Sequence, residues 1–204
     1  MQTTIFKRAA MALAVVGSVA LPMAAQAADG PWLVRVRAVN LDSANKDDTG
    51  LGLSINNKVI PEVDISYFIT PNIAAELILT YPQKQTVHSD VIGADIGTFK
   101  HLPPTLTAQY HFTDFGAFKP YLGAGLNYTR ISNVDFGALP VTLDKSSVGL
   151  AVQAGFDYEV AKNVYLNLDV KKVQIKTDVT VGGVNKGSFK VDPLLIGAGV
   201  GFRF

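Results

Sequence analysis

The sequence predicts an all-β protein, an eight-stranded antiparallel transmembrane β-barrel, and three observations lead there. First, the final stretch alternates strictly: Leu194, Ile196, Ala198, Val200, Phe202 and Phe204 take one parity, and Leu195, Gly197, Gly199, Gly201 and Arg203 the other. Such a strand has one oily face and one face of glycines and a cation, as lipid outside and a tight or wet interior require. Second, seven earlier segments alternate in the same way. Third, Lys7 and Arg8 precede an apolar run from Ala9 to Met23 and the small-x-small triplet Ala25-Gln26-Ala27, the pattern of a secretory signal peptide. Residues 1–27 are expected to be a signal peptide and residues 28–204 an outer-membrane β-barrel.

Composition narrows the class further. The chain is 48% hydrophobic and only 17% charged, yet charges or turn residues interrupt every apolar stretch after the leader, so no helix of roughly 20 apolar residues is available to span. With a net charge of +1 and no basic stripe interleaved with aromatics, no nucleic-acid partner is expected. The absence of cysteine removes disulfides and thiolate chemistry. No cofactor is expected, and a mature length of roughly 175 residues suits one domain.

The segments follow in order. Trp32 to Asn40 sets Val34 and Val36 opposite Arg35 and Arg37. Glu62 to Ile69 begins after Pro61, which reads as its outer boundary. Ile73 to Tyr81 follows the tight turn Thr70-Pro71-Asn72 and turns Glu76, Ile78 and Thr80 inward. Thr105 to Phe112 starts behind Pro103-Pro104, with Thr107, Gln109 and His111 inward. Tyr121 to Arg130 points Tyr121, Gly123, Gly125, Asn127 and Thr129 inward. Val148 to Glu159 sets Val148, Leu150 and Val152 against Gly149, Ala151, Gln153, Asp157 and Glu159. Val164 to Asp178 sets Leu166, Leu168 and Val170 against Tyr165, Asn167, Asp169 and Lys171, with the pattern drifting at Lys172 and Val173. Val191 to Phe204 turns Leu195 and Arg203 inward.

Parity leaves no freedom once one residue is placed, and charge facing hydrocarbon is costly, so the polar set faces the lumen. Connections alternate between short and long, the rhythm of periplasmic turns and outer loops, which places both termini on the periplasmic side. Tyr110, Phe112, Tyr128, Phe156, Tyr158, Phe202 and Phe204 suit the aromatic girdles. Unpaired backbone edges in lipid are prohibitive, so the sheet must close. An eight-stranded lumen is narrow enough for side chains to fill it. The inward set reads as poor in charge, which argues against a water-filled ion pore. Arg35 and Arg37 are expected to pair with inward acids such as Glu62, Asp64, Glu76, Asp157 or Asp169.

Two stretches are more specific than alternation: His101-Leu102-Pro103-Pro104-Thr105-Leu106-Thr107-Ala108-Gln109-Tyr110 and Lys119-Pro120-Tyr121-Leu122-Gly123-Ala124-Gly125-Leu126-Asn127-Tyr128-Thr129. With Asp192-Pro193 and the terminal Gly201-Phe202-Arg203-Phe204, they closely resemble the outer-membrane protein W family across essentially the whole mature chain. The resemblance implies an outer-membrane location and a largely hydrophobic lumen, and a role like that of relatives that facilitate uptake of hydrophobic small molecules such as alkanes. It also implies that Ile78, already placed inward by parity, contributes to the narrowest apolar point. The aromatic that some members carry on the seventh strand falls at Lys171 here, which departs from an apolar gate.

The reading is therefore a passive conduit for small, mainly hydrophobic solutes in contact with outer-membrane lipid. Ile78, Leu195 and Tyr121 are expected to line it, and Lys171 to modify its constriction. Pro103 and Pro104 remove backbone donors from the wall near its outer end, as do Pro61, Pro82 and Pro193, and are candidates for sideways release into the membrane. Phe204 resembles the terminal signal read by the barrel-assembly machinery. The alternatives are a plugged structural or surface-interaction barrel that binds a host molecule, phage or bacteriocin, and a soluble lipid-binding barrel. The soluble option conflicts with inward Asp157, Asp169 and Lys171. His101 reads as a packed or solvated residue rather than a metal ligand, since a site would need further ligands nearby. No serine, histidine and acid share a spacing that would support acyl transfer, so enzymatic activity is not expected.

Overall fold

The alternating segments pair in sequence order around a closed wall. In the computed structural model, which describes residues 30–204, the barrel strands are β1 (Trp32–Asp42), β4 (Lys58–Phe68), β5 (Ile73–Leu79), β8 (Thr105–His111), β9 (Phe118–Asp135), β11 (Ser146–Ala161), β12 (Val164–Val173) and β15 (Leu194–Arg203). All neighbours are antiparallel, and β9 pairs β11 as well as β8, while β15 pairs β1 and so closes the barrel. The signal-peptide reading of residues 1–27 lies outside the described residues.

Parity is obeyed on every barrel strand. Leu106, Leu122, Leu126, Val148, Leu150, Leu166, Leu168 and Ile196 are exposed on the outer face, where lipid covers them, while Glu76, Ile78, Asn127, Gln153, Asp157, Asp169 and Lys171 are buried inside. The lower ends close in short turns, Lys162-Asn163 among them, with Asn163 at φ 63 in the left-handed region that asparagine tolerates. There the ends of the described chain lie together, Trp32 N–H donating to the Phe204 carbonyl at 3.0 Å and Phe204 N–H to Trp32 at 2.8 Å.

Three sequence expectations need correction. The long outer connections are mostly strand. They comprise β3 (Leu53–Ile55), β6 (Gln83–Ser89) and β7 (Ala94–Leu102), which extend the barrel sheet, and β2 (Lys46–Asp47), β10 (Val141–Leu143), β13 (Lys176–Val181) and β14 (Val184–Lys190), which form a second sheet. These residues no longer face lipid, so their alternation is weaker and reads as loop. The second segment begins at Lys58 rather than Glu62 and carries Pro61 within it. Phe68 N–H donates to Pro31 on the β1 side, so odd positions of β4 turn their amides toward β5, whose last pair is Val63–Leu79. Pro61 thus lacks its donor where no partner strand stands. The seventh segment ends at Val173, because Ile175 is buried in the outer core and the chain restarts as β13 in the other sheet.

Candidate functional site

The inward residues of the barrel fall into three tiers that can be followed along single strands. β1 turns inward Leu33, Arg35, Arg37, Val39 and Leu41, while β4 offers Phe68, Ser66, Asp64, Glu62 and Ile60 in the same direction. A small apolar tier at the lower end contains Leu33, Phe68, Ala74 and Tyr165. Above it lies a charged tier, and above that an apolar core that continues into the outer sheets.

The charged tier is a filled cross-section. Arg35 donates to Asp157 through two nitrogens, Nε at 3.0 Å and Nη2 at 2.7 Å, and through Nη1 to Asp64 at 3.0 Å, Ser66 at 3.0 Å and Glu76 at 3.2 Å. Arg37 bonds Asp64 through Nε at 2.9 Å and also through Nη2, reaches Glu76 at 3.1 Å, and stands 3.4 Å from Glu62 and 3.3 Å from Asp169. Lys171 donates to Glu62 at 2.9 Å. Neutral groups fill the remaining acceptor positions. Gln153 donates to Glu76 at 2.6 Å, Thr107 to Glu76 at 3.0 Å, the Tyr121 hydroxyl to Asp169 at 2.9 Å, and Asn167 to Asp157 at 2.9 Å. Every ion here has an ion-pair partner, the condition under which charge is tolerated away from water, while Arg37 Nη1 and the side-chain amide oxygens of Gln153 and Asn167 are buried without a hydrogen bond.

The glycines of β15 make room for it. A Cβ on Gly199 would lie 2.0 Å from the Val36 carbonyl oxygen and 2.8 Å from Arg37 Cγ, and one on Gly155 of β11 would lie 2.5 Å from the Tyr121 hydroxyl. Glycine at these inward positions is therefore a packing requirement of the plug, beyond the tightness that the alternation alone implies. The expectation of a charge-poor lumen is overturned for this tier, where three cations meet five carboxylates. Strand by strand the charges are sparse; closure of the barrel concentrates them at one level.

The apolar tier holds Val39, Leu41, Ile60, Phe99, Ile131, Ala151, Val173, Ile175, Val191 and Leu195 together with Leu53, Ile55, Val87, Val179 and Phe189 of the outer sheets. At its base, directly on the plug, is a void of about 20 Å³, enough for one water, lined by Ile78, Leu195, Leu41, Ile60, Lys171 and Pro103 among others. Its lining also includes Leu79 and Thr80, and Leu79 belongs to the outward, lipid-facing parity. The void therefore reaches the wall where that wall is thin. β5 and β8 last pair at Ile78–Thr105, β4 above Val63 has no strand partner on that side among the described residues, and the seam is bridged by Thr80 Oγ1 donating to Pro61 at 2.8 Å and by Lys58 Nζ donating to the Lys84 carbonyl.

The four lining candidates thus separate into two levels. Ile78, Leu195 and Lys171 meet at the floor of the apolar tier, Lys171 tethered to Glu62 with its charge turned into the plug. Tyr121 lies lower, its ring 5.0 Å from His111 and 5.1 Å from the Arg35 guanidinium, and it belongs to the plug. Pro103 lines the void; Pro104 accepts Tyr128 N–H at 3.0 Å where β8 begins. Pro193, named with the other outer-end prolines, lines it as well, whereas sequence reasoning passed over Leu41, Ile60, Val173 and Ile175 as lining residues; the inward parity of Val39 and Leu41 on β1 was the available signal. His101 is buried against Phe99, with Nε2 3.3 Å from Gln85 Nε2. Burial pushes its imidazole down to about 4, with Lys58 adding to the effect. Among the described residues no cluster of histidines and carboxylates is arranged to hold a metal.

Comparison with known proteins places this architecture. The OmpW family model matches residues 30–204. The chain is 48% identical over 183 residues to the uncharacterized outer-membrane protein y4mB of Sinorhizobium fredii, covering 85% of this chain and 80% of the relative. It is 34% identical over 164 residues to outer membrane protein W of Escherichia coli, covering 75% and 76%. It is 29% identical over 158 residues to outer membrane protein AlkL of Ectopseudomonas oleovorans, covering 74% and 69%. Among solved structures, OprG of Pseudomonas aeruginosa shares the fold with a TM-score of 0.74 at 23% identity, covering 86% of this chain and 96% of that one. AlkL in lipid bilayers has a TM-score of 0.66 at 26% identity, covering 88% and 94%.

Proposed function

The chain belongs to the OmpW family and is an outer-membrane barrel, and from the layering of its interior we propose that it admits small, mainly hydrophobic molecules passively and releases them sideways into the membrane. One observation carries this reading: an apolar tier rests on a charged plug that fills the barrel below it. An apolar solute entering from the outside exchanges water for aliphatic side chains, a favourable transfer of about 25 cal/mol per Å². It cannot continue straight down without separating buried ion pairs, which costs several kcal/mol per uncompensated ion. The seam at Pro61, Thr80 and Pro103 is the side of the same void where backbone pairing is missing, and the side-chain bridges there are the contacts that a solute leaving toward lipid would displace. Movement follows the concentration gradient and uses no cofactor.

Uptake of a radiolabelled alkane or arene into cells with the gene deleted, complemented, or complemented with a Pro103→Val/Pro104→Val variant tests the reading. Deletion is expected to slow entry, the intact gene to restore it, and the variant to restore it only in part at equal expression. Equal uptake in all strains removes the conduit. The filled lower lumen favours the second reading, a plugged surface-interaction barrel, and that outcome would leave it standing.

A further inference from the structure

Outside the interior, the barrel carries an unneutralised basic patch at the level where the membrane ends. On β6 and β7, Lys84 and Lys100 are directly opposite one another in register. Their parity is outward, because Gln83, Gln85, Phe99 and His101 on either side are buried. Like charges in that position repel, and no ion pair involves either lysine among the described residues. Lys58 of β4 stands opposite inward Leu41, so it approaches the Lys84 carbonyl from the inner side of the wall and is not part of the patch; burial first, and then the Lys84 charge, hold its ammonium below the usual lysine value. On the neighbouring β9, Arg130 stands opposite Leu102, two residues from Lys100 along the same outward face. Asp135, farther out and opposite Thr98, accepts the Gly137 N–H at 2.9 Å and is held by its own turn.

The height of the patch selects its partner. Tyr128 is exposed on the same face of β9 as Arg130 and two residues below it, roughly 7 Å along a strand. Tyr81, also exposed, precedes Lys84 by three residues. Aromatic residues at barrel rims mark the boundary between acyl chains and headgroups, so the three cations stand at headgroup level on the outer side. A planar guanidinium beside ammonium groups suits tetrahedral oxyanions.

We infer that Lys84, Lys100 and Arg130 form a binding site for the phosphate groups of the outer-leaflet glycolipid. This rests on the membrane orientation of the barrel and is independent of whether the lumen conducts. The lipid phosphate supplies the negative charge that the wall lacks, relieves the Lys84–Lys100 repulsion and fastens the outer extension of β6 and β7 to the membrane surface.

The test uses full-length barrel refolded in detergent, with its unfolding temperature followed by heat-modifiable migration on gels. Bisphosphorylated lipid A is expected to raise that temperature by several degrees, and lipid A stripped of both phosphates to leave it unchanged. A Lys84→Gln/Lys100→Gln/Arg130→Gln variant is expected to lose the response, while a charge-matched Lys46→Gln/Lys176→Gln/Lys186→Gln control retains it. Because the triple variant removes repulsion, its unliganded barrel is expected to fold at least as well as the parent. An equal response to the stripped lipid, an unaltered response in the triple variant, or an equal response to millimolar inorganic phosphate without lipid would each overturn the assignment.

Discussion

Arg35 grips Asp157 with two nitrogens, Nε to Oδ1 at 3.0 Å and Nη2 to Oδ2 at 2.7 Å, across an interior that joins strands three places apart in the wall. The fork geometry gives the pair both strength and orientation, and both side chains are buried. This contact, repeated around Arg37 and Lys171, makes the lower barrel a rigid seal.

Removing one partner leaves the others uncompensated. Arg35→Ala is expected to destabilise the barrel by about 3–5 kcal/mol, read as a lower urea midpoint for unfolding in detergent. Ionic conductance in planar bilayers should rise as the seal loosens, while uptake of an apolar compound stays within twofold in whichever cells still assemble the protein. A normal midpoint would mean that the plug contributes no net stability.

The apolar floor should be sensitive to charge rather than to small changes of shape. Ile78→Asp or Leu195→Asp places an unpaired carboxylate among aliphatic groups and is expected to lower apolar uptake by about tenfold, equivalent to about 1.4 kcal/mol. Leu195→Met should leave it nearly unchanged. Initial uptake rates at matched expression check both.

Much of this arrangement was legible in the sequence. Period-two alternation placed Glu76, Gln153, Asp157, Asp169 and Lys171 inside before any pairing was known, because a strand has only two faces. It also named the acids that Arg35 and Arg37 meet. The tiers were hidden because their members are far apart in sequence, Arg35 and Asp157 by 122 positions and Lys171 and Glu62 by 109. Relative heights follow only from register. Pro61 read as a strand boundary because the missing donor is harmless only beside a wall opening, and the opening is a property of β5 and β8, not of β4.

His101 ties the outer tier to acidity. Its folded-state pKa of about 4 is below the unfolded imidazole value, so the unfolded chain binds the proton first as pH falls. The contribution is complete above about pH 6.5 and is lost progressively toward pH 4, at most about 3 kcal/mol. His101→Gln is expected to flatten the dependence of unfolding temperature on pH in that window. A slope identical to that of the parent would contradict the buried neutral imidazole.

The Lys58 bridge predicts a rate effect. Lys58→Met removes the ammonium that spans from β4 to the Lys84 carbonyl, and release through the seam should quicken, raising the initial rate of apolar uptake about two- to threefold without a change in expression, a barrier change of under about 1 kcal/mol. A slower rate would indicate that Lys58 shapes the entrance instead of strapping the wall.

The most direct test follows the solute itself. A diazirine-bearing alkane is photoactivated during uptake through the intact barrel in outer-membrane vesicles, and the adducts are mapped by mass spectrometry. The account predicts labels at Ile78, Leu79, Leu195 and Pro103 and none at His111 or Phe68. Labels at the latter two, which stack on each other at the lower end of the barrel, would contradict it.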